Sequence, residues 1–307
     1  MRLVGVDVGG TDTKLGVFDE ELRCLRSWKI PTDRSEGGRH IMENAARSMT
    51  EELGGAPDAV GIGVPGLVVR GHVVVCVDAG WADSDPALEI QERLGCPAAA
   101  ANDANVAALG EYLRGAGQGV GSLLLITLGT GVGGGIVRFG RLEEGAHGFA
   151  GEIGHIPVDT EERENCNCGQ RGCLDQVASA TGILRRTRRL LHTGVPSMLR
   201  DTPDLRCEDV FRALRAEDPV AVEVIHSMAR FLARAMVRAG MLLDPELFLL
   251  GGGVAGAGDI LLEIVREKYR EETVFEQGMA RIELATLGNQ AGMTGAAALA
   301  LRALEKS

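Results

Sequence analysis

The residues best equipped for chemistry lie between Ile126 and Cys173. The segment opens with the sequence TLGTGVGGG at 127–135, where bare backbone amides can approach an anion closely. A carboxylate and an imidazole follow three residues apart, at Glu152 and His155. The segment ends in a C-x-C-x4-C pattern formed by Cys166, Cys168 and Cys173. A phosphate cradle beside polar and metal-binding side chains predicts phosphoryl chemistry on a small molecule.

The cysteine pattern is typical of a metal site. His155 lies eleven residues before Cys166, and one imidazole with three thiolates is a ligand set suited to tetrahedral zinc. Four protein ligands leave no open coordination position, so the pattern predicts a structural Zn²⁺. The alternative is a chance cluster of free thiols. The other cysteines are interpreted as ordinary buried thiols: Cys24, Cys76, Cys96 and Cys207.

A second candidate phosphate site lies at the start of the chain. Two apolar runs flank a turn rich in glycine and hydroxyl side chains, which predicts a hairpin. An ordinary hairpin with no ligand is the alternative, and the spacing is not that of a Walker A loop. The residues that offer Mg²⁺ ligation or phosphate donors are Asp7, Gly9, Gly10, Thr11, Thr13 and Lys14.

Composition limits the classes of partner. A net charge of −11 argues against nucleic acids and anionic membranes, because both attract basic patches. Seven cysteines, three of them clustered with a histidine, fit reduced thiols better than a disulfide framework. We find no signal-peptide pattern and no apolar run long enough to span a bilayer. A cytoplasmic protein is therefore expected.

Strand and helix patterns alternate, which predicts an α/β architecture. Helical spacing marks His40–Leu53 and Pro86–Leu94, and a buried strand is predicted at Ala59–Val64. Asp103 falls where the short apolar run from Ala98 passes into a helix. There it can meet a substrate at the strand ends, although position alone favours a helix N-cap.

The second half of the chain is predicted to carry three further helices and one glycine-rich turn. The helices are expected at Leu174–Leu191, Val220–Leu242 and Ala291–Leu304. Arginines at the end of the first are interpreted as a solvated helix face rather than a phosphate patch. The strand Leu247–Leu250 ends in Gly251–Gly253, which would face a nucleotide or simply form a tight turn.

Taken in order, seven short motifs resemble the ROK family of bacterial sugar kinases and repressors, and its glucokinase branch most closely. The resemblance extends from Leu3 to about Leu301. Each motif is weak alone, but the ordered set is specific. The motifs are DxGGT at 7–11, GVPG at 63–66, NDAN at 102–105, LGTGVGGG at 128–135, GEIGH at 151–155, CxCGx2GC at 166–173 and LGGG at 250–253.

The resemblance implies an actin-like ATPase (ribonuclease H-like) fold. Such a fold has two α/β domains, each with a mixed central sheet, and an active-site cleft between them. The small domain would comprise residues 1–105 and 291–307, with the last helix returning to it. The large domain would comprise residues 106–290 and carry the zinc site.

The resemblance also implies roles for individual residues. Asp103 would be the general base that accepts the proton of a sugar 6-hydroxyl. The sugar would be held by Gly66, Asn102, Asp103, Glu152, His155 and Asp175. ATP would be held, with Mg²⁺ near Asp7, by Asp7, Gly9, Gly10, Thr11, Thr13, Lys14, Gly129, Thr130, Gly131, Gly133, Gly251, Gly252 and Gly253. Zn²⁺ would be bound by His155, Cys166, Cys168 and Cys173.

The implied activity is ATP-dependent phosphorylation of a hexose, with glucose as the first choice. The alternatives are N-acetylmannosamine, N-acetylglucosamine, fructose or allose as substrate, or polyphosphate as donor. A sugar-responsive repressor is a further alternative; we disfavour it because the fold begins at Leu3 without a basic N-terminal domain and keeps the phosphate residues. A homodimer, or a tetramer, is expected.

One residue departs from the family pattern at the implied sugar site. Two residues after the last zinc cysteine the family has glutamate, whereas this chain has Asp175. Aspartate keeps the charge but is one methylene shorter. We expect Asp175 to face the sugar near its anomeric end and to relax selectivity there. The alternative is that it only caps the helix beginning at Gln176.

Overall fold

The computed structural model describes residues 1–76, 80–274 and 279–307. The chain divides into two compact units. The first contains Met1–Leu123, Gly135–Gly151 and Thr286–Ser307. The second contains Leu124–Gly134 and Glu152–Ala285. The predicted domain boundaries at 105/106 and 290/291 stay a prediction.

Strands and helices are mixed along the whole chain. The strands are β1 (Leu3–Val8), β2 (Asp12–Phe18), β3 (Cys24–Pro31), β4 (Ala59–Val64), β5 (Leu67–Val69), β6 (His72–Cys76), β7 (Trp81–Ser84), β8 (Ala98–Asn102), β9 (Ser122–Leu128), β10 (Val132–Arg138), β11 (Arg141–Leu142), β12 (Leu247–Gly251) and β13 (Arg281–Leu284). The α-helices are α1 (Ile41–Leu53), α2 (Pro86–Leu94), α3 (Asp103–Arg114), α4 (Asp175–Ala178), α5 (Ala180–His192), α6 (Cys207–Arg215), α7 (Pro219–Leu243), α8 (Asp259–Glu272) and α9 (Ala291–Glu305).

The first unit is built on a mixed sheet with strand order β3-β2-β1-β4-β8. β1 pairs antiparallel with β2 and parallel with β4, and β4 pairs parallel with β8. The apolar faces of these strands and of α1 form a buried core. Because β1, β4 and β8 run in the same direction, their carboxyl ends meet at one edge of the sheet.

Helix α9 lies directly on this sheet. A Cβ at Gly5 would fall 2.0 Å from the carbonyl oxygen of Met293, and one at Gly61 would fall 1.7 Å from that of Ala296. Side chains at either glycine would push the helix away, so glycine is needed for the close approach. The last helix therefore packs on the first sheet, as the family resemblance implied.

The second main sheet has the order β11-β10-β9-β12-β13, with an antiparallel β10–β11 pair and a parallel β12–β13 pair. The predicted mixed sheets are thus confirmed. A further sheet, β5-β6-β7, is antiparallel. Within the described residues, no helix combines the length and the apolar character needed to cross a lipid bilayer.

The predicted helix at Leu174–Leu191 is wrong as a single element. Ser179 has extended backbone angles (φ −70°, ψ 161°) and separates α4 from α5. Its side chain accepts a hydrogen bond from the N–H of Gly182 at 3.0 Å and so caps α5. Apolar spacing continues across the break, which is why periodicity alone does not reveal it.

The interpretation of the α5 arginines as a solvated face is wrong for Arg185 and Arg186, whose side chains are only 24% exposed, whereas Arg189 is 44% exposed but also forms ion pairs. Arg185 and Arg189 both bind Glu162, whose side chain is 1% exposed, and both also bind Glu164. Arg186 binds Asp159 at 2.9 Å. These ion pairs, here called the arginine brace, hold the segment 159–164 that leads to the first cysteine of the cluster.

Candidate active site and metal centre

Three of the predicted site positions lie at the carboxyl edge of the parallel strands in the first unit. Asp7 is near the end of β1, Gly66 follows the end of β4, and Asn102 ends β8. Asp103, the next residue, is the first residue of α3 and is partly exposed. The sheet therefore brings a candidate base and a candidate Mg²⁺ ligand to the same edge.

Asn102, rather than Asp103, is the N-cap of α3. Its Oδ1 accepts hydrogen bonds from the N–H groups of Ala104 and Asn105 at 2.9 and 3.1 Å. Its Nδ2 donates to the carbonyl oxygen of Gly66 at 2.9 Å. The N-cap interpretation of Asp103 is therefore wrong, and Asn102 fixes both the start of the helix and the loop after β4.

Gly66 is in a conformation that favours glycine. Its φ is +96°, and a Cβ there would lie 2.3 Å from the carbonyl oxygen of Val75. The chain thus folds back tightly after β4, which places the Gly66 carbonyl within reach of Asn102.

The turn between β1 and β2 is held by neighbouring residues of the same sheet. The N–H of Gly9 donates to the carbonyl oxygen of Asp12 at 3.1 Å. The hydroxyl of Thr32 donates to the carbonyl oxygen of Gly9 at 2.7 Å and lies 2.9 Å from the hydroxyl of Thr13. The Thr13 side chain is buried in this contact, which does not support its use as a phosphate donor, and that role stays a prediction.

Asp7 and Lys14 face each other across the same hairpin. Lys14 Nζ lies 3.6 Å from Asp7 Oδ2, and the two residues are directly paired in the ladder. Burial raises the pKa of Asp7, and the nearby ammonium of Lys14 opposes that shift. A Mg²⁺ ion at this carboxylate would favour its ionised form in the same way as Lys14 does.

The second glycine-rich turn, 129–131, connects β9 and β10 in the second unit. It is shorter than predicted, because Gly133 lies within β10. The other predicted glycine run is beside it: Gly252 has a φ of +83°, and a Cβ there would lie 2.5 Å from the carbonyl oxygen of Leu128. The structure therefore brings the two candidate nucleotide segments of this unit together.

The Glu152–His155 turn presents two exposed polar side chains. His155 Nε2 lies 3.8 Å from a carboxylate oxygen of Glu152. The turn packs on the start of β10, where a Cβ at Gly154 would lie 2.1 Å from the carbonyl oxygen of Val132. The other ring nitrogen of His155, Nδ1, faces Cys166 Sγ at 3.7 Å.

The predicted metal ligands converge. The ligand atoms of all four residues lie within 4.8 Å of one another: His155, Cys166, Cys168 and Cys173. Cys168 Sγ and Cys173 Sγ are 3.6 Å apart. A tetrahedral zinc site with Zn–S bonds of about 2.3 Å separates its sulfurs by about 3.8 Å, so the cluster fits this metal.

The electrostatics of the cluster also favour a cation. Burial and the adjacent thiols of Cys166 and Cys168 raise the pKa of Cys173 to about 12. Thiolates this close repel one another, and a bound cation removes that repulsion. Of the remaining cysteines, Cys76 and Cys96 are buried as predicted, whereas Cys24 and Cys207 are partly exposed.

Asp175 does not cap its own helix, so that alternative is wrong. The N-cap of α4 is Leu174 and has no side-chain cap. Asp175 Oδ1 instead accepts a hydrogen bond from the N–H of Val132 at 2.7 Å. The carboxylate thus contacts the residue immediately after the glycine-rich turn.

Comparisons with known proteins identify the family. A sequence model of the ROK family matches residues 3–303. The chain belongs to the ROK family. Among ROK relatives, the glucokinase of Halalkalibacterium halodurans is 40% identical over 306 residues, covering 95% of this chain and 92% of that protein. The glucokinase of Streptomyces coelicolor is 36% identical over 310 residues, covering 97% and 96%.

A solved ROK structure is similar over almost the whole chain. It is the ROK family glucokinase from Streptomyces griseus in complex with glucose and AMPPNP, at 34% identity and a TM-score of 0.83. The match covers 98% of this chain and 100% of that one. The ROK resemblance and the actin-like ATPase fold predicted from the motifs are therefore confirmed.

Proposed function

We propose that this protein transfers the γ-phosphoryl group of ATP to the 6-hydroxyl of glucose. The observation that carries the proposal is the near full-length similarity to a glucokinase solved with glucose and AMPPNP. The local structure supports it, because a carboxylate, Asp103, stands at the edge where three parallel strands end.

Asp103 acts as the general base in this proposal. The sugar oxygen attacks the γ-phosphorus, the bond from that phosphorus to the β,γ-bridging oxygen breaks, and ADP leaves with the electron pair. The hydroxyl proton passes to a carboxylate oxygen of Asp103. Positioning and charge neutralisation dominate such transfers, and the carboxylate orients the nucleophile.

The sugar is held, in our proposal, by polar groups from several turns. Both acceptor bonds of the Asn102 oxygen are made to the backbone, so this residue contributes its second Nδ2 hydrogen as a donor. The carboxylates of Glu152 and Asp175 accept hydrogen bonds from sugar hydroxyls. Asp175 uses Oδ2, because its Oδ1 accepts from the N–H of Val132. Gly66 contacts the sugar through its backbone.

The nucleotide residues of this proposal are those predicted from the sequence. The N–H groups of Gly9 and Gly129 already donate within their turns, so other backbone amides of the two glycine-rich turns hold the phosphates. Lys14 contributes a cation, and Gly251–Gly253 faces the adenosine. Asp7 would hold Mg²⁺, directly or through water, and the cation supplies neutralisation of the phosphate charge when ATP is bound.

We further propose that the cysteine cluster holds one structural Zn²⁺. His155 would coordinate it through Nδ1, which faces the thiols, and this leaves Nε2 on the side of Glu152. Metal coordination fixes the tautomer, so Nε2 carries the hydrogen and donates to a sugar hydroxyl. A homodimer or tetramer stays a prediction that light scattering can check.

A panel of sugars tests the function. ADP release is followed by a coupled assay with glucose, mannose, fructose, allose, N-acetylglucosamine and N-acetylmannosamine, each with ATP and with polyphosphate. We expect the highest kcat/KM for glucose with ATP. Higher kcat/KM for an acylated aminosugar would reassign the substrate, and no ADP release with any sugar would reject the kinase.

A further inference from the structure

The glycine-rich turn 129–131 is anchored by a segment more than forty residues away in the chain. The N–H of Ala180 donates to the carbonyl oxygen of Gly129 at 2.8 Å. The hydroxyl of Thr181 donates to the carbonyl oxygen of Thr130 at 3.0 Å. Asp175 accepts from the N–H of Val132 at 2.7 Å. Three contacts from one short segment therefore fix the turn and the residue after it.

The break between α4 and α5 is what makes these contacts available. In a continuous helix the N–H of Ala180 would donate to the carbonyl oxygen of Gln176, four residues earlier. The extended backbone at Ser179 frees it for Gly129 instead. The Ser179 hydroxyl donates to the carbonyl oxygen of Asp175 at 2.6 Å, which stabilises the break.

The turn itself is adapted to Asp175. A Cβ at Gly131 would lie 2.9 Å from Asp175 Oδ1, so any larger residue would displace the carboxylate from Val132. The carbonyl oxygen of Gly131 also accepts a bond, from the N–H of Gly129 at 2.9 Å. All three carbonyl oxygens of the turn are thus engaged within the protein, which keeps these acceptors from repelling a bound anion.

We propose that Asp175 and Thr181 are positioning residues for the phosphate-binding turn. They act through the Val132 N–H and the Thr130 carbonyl, respectively, and set the turn in the shape that receives the nucleotide. Asp175 therefore serves the phosphate side of the reaction in addition to any contact with the sugar. The identity of the ligand rests on the proposed kinase function, whereas the anchoring of the turn does not.

Three variants and two kinds of measurement test the inference. Thr181→Val removes one hydroxyl that has no proposed contact with sugar. Asp175→Ala removes the acceptor for Val132, and Asp175→Asn keeps an acceptor oxygen but loses the charge. Each protein is titrated with the Mg²⁺ complex of AMPPNP without sugar and with glucose without nucleotide. Amide hydrogen exchange at residues 129–134 is measured in the free proteins.

We expect Thr181→Val to weaken AMPPNP binding about threefold to tenfold, the range that follows from one neutral hydrogen bond, with glucose binding unchanged. Asp175→Ala should weaken AMPPNP binding about tenfold or more and speed exchange of the Val132 amide. Asp175→Asn should recover most of both losses, because its amide oxygen still accepts from Val132.

Unchanged AMPPNP affinity and unchanged Val132 exchange in both Thr181→Val and Asp175→Ala would overturn the inference. A loss of glucose affinity alone in Asp175→Ala would do the same and leave Asp175 as a sugar ligand only. If the wild-type protein bound no AMPPNP, the proposed function would fail, but Val132 exchange would still decide whether the turn is anchored as proposed.

Discussion

The two glycine-rich turns have similar sequences and are stabilised in different ways. The turn at 9–11 is held by its own sheet, through Asp12 on β2 and Thr32 just after β3. The turn at 129–131 is held by the segment 175–181, which begins two residues after Cys173. The first turn is local in origin, and the second depends on the fold of the segment that follows the cysteine cluster.

The contacts of the second turn imply that order at the cysteine cluster is transmitted to residues 129–131. Cys173 is linked to the anchoring segment both by sequence and by Gln176, whose side chain accepts from the Cys173 N–H at 3.2 Å. Arg185 of the arginine brace donates to the carbonyl oxygen of Gln176 at 2.9 Å. The cluster, the brace and the second turn therefore form one connected unit of structure.

The largest effect is expected from loss of a cluster ligand. Cys168→Ala should lower the free energy of unfolding by about 4 kcal/mol, because loss of a metal belongs to the most damaging class of substitutions. Hydrogen exchange should rise at 129–134 and stay unchanged at 9–13. Elemental analysis should find one zinc per chain in wild type and less in the variant. Cys24→Ala, a cysteine outside the cluster, is the matched control and should behave as wild type.

A smaller effect is expected from the arginine brace. Glu162→Gln leaves the guanidinium groups of Arg185 and Arg189 without their buried partner and should cost about 3 kcal/mol. Glu164→Gln alters a more exposed partner of the same arginines and serves as the control; its loss should be clearly smaller than that of Glu162→Gln. If chemical denaturation showed equal losses of unfolding free energy in the two variants, the burial of Glu162 would not increase its contribution to stability.

The same residue gives a pH dependence with a defined sign. Burial alone would raise the pKa of Glu162, but hydrogen bonds from Arg189 and the Glu164 N–H, with the charges of Arg185 and Arg189, lower it to about 2. The folded-state pKa is below the ordinary value of 4.5, so this stabilisation is present above pH 4.5 and is lost as pH falls toward 2. The stability difference between wild type and Glu162→Gln should shrink over that interval. A stability difference that stayed constant between pH 4.5 and pH 2 would contradict the lowered pKa of Glu162.

The smallest of these effects concerns the first turn. Thr32→Val removes the hydrogen bonds to Gly9 and Thr13 and should cost about 1 to 2 kcal/mol. Exchange should rise at 9–13 and stay unchanged at 129–134, with or without a chelator. If exchange at 129–134 rose as well, the two turns would not be independently stabilised.

Much of the fold could be predicted from sequence because local signals agree with it. Helix α2 begins at a proline and ends before a glycine, and both bounds match the prediction. Burial of β4 follows its unbroken apolar run, and burial of β1 follows an apolar run that only Asp7 interrupts. Apolar spacing continues across the break at Ser179, so periodicity does not reveal it. The only local signal is the serine itself, because serine is a preferred N-cap residue.

The site was predicted less completely, because its contacts join residues distant in sequence. Alternation along β2 already indicates that the Thr13 side chain points to the opposite face from Lys14 and is buried. The acidic run at 161–164 could have suggested partners for the α5 arginines. No local pattern relates Asp175 or Thr181 to a turn more than forty residues earlier, so only the folded structure reveals that contact.

Asp103 is the proposed base in sugar phosphorylation, and one substitution tests this role most directly. Asp103→Asn keeps the shape of the side chain at the first position of α3 but cannot accept the hydroxyl proton. We expect normal folding, retained glucose binding and a kcat for ADP formation lower by about 10²- to 10⁴-fold. A kcat within a few fold of wild type, in a variant that still binds glucose, would contradict the assignment and require another base.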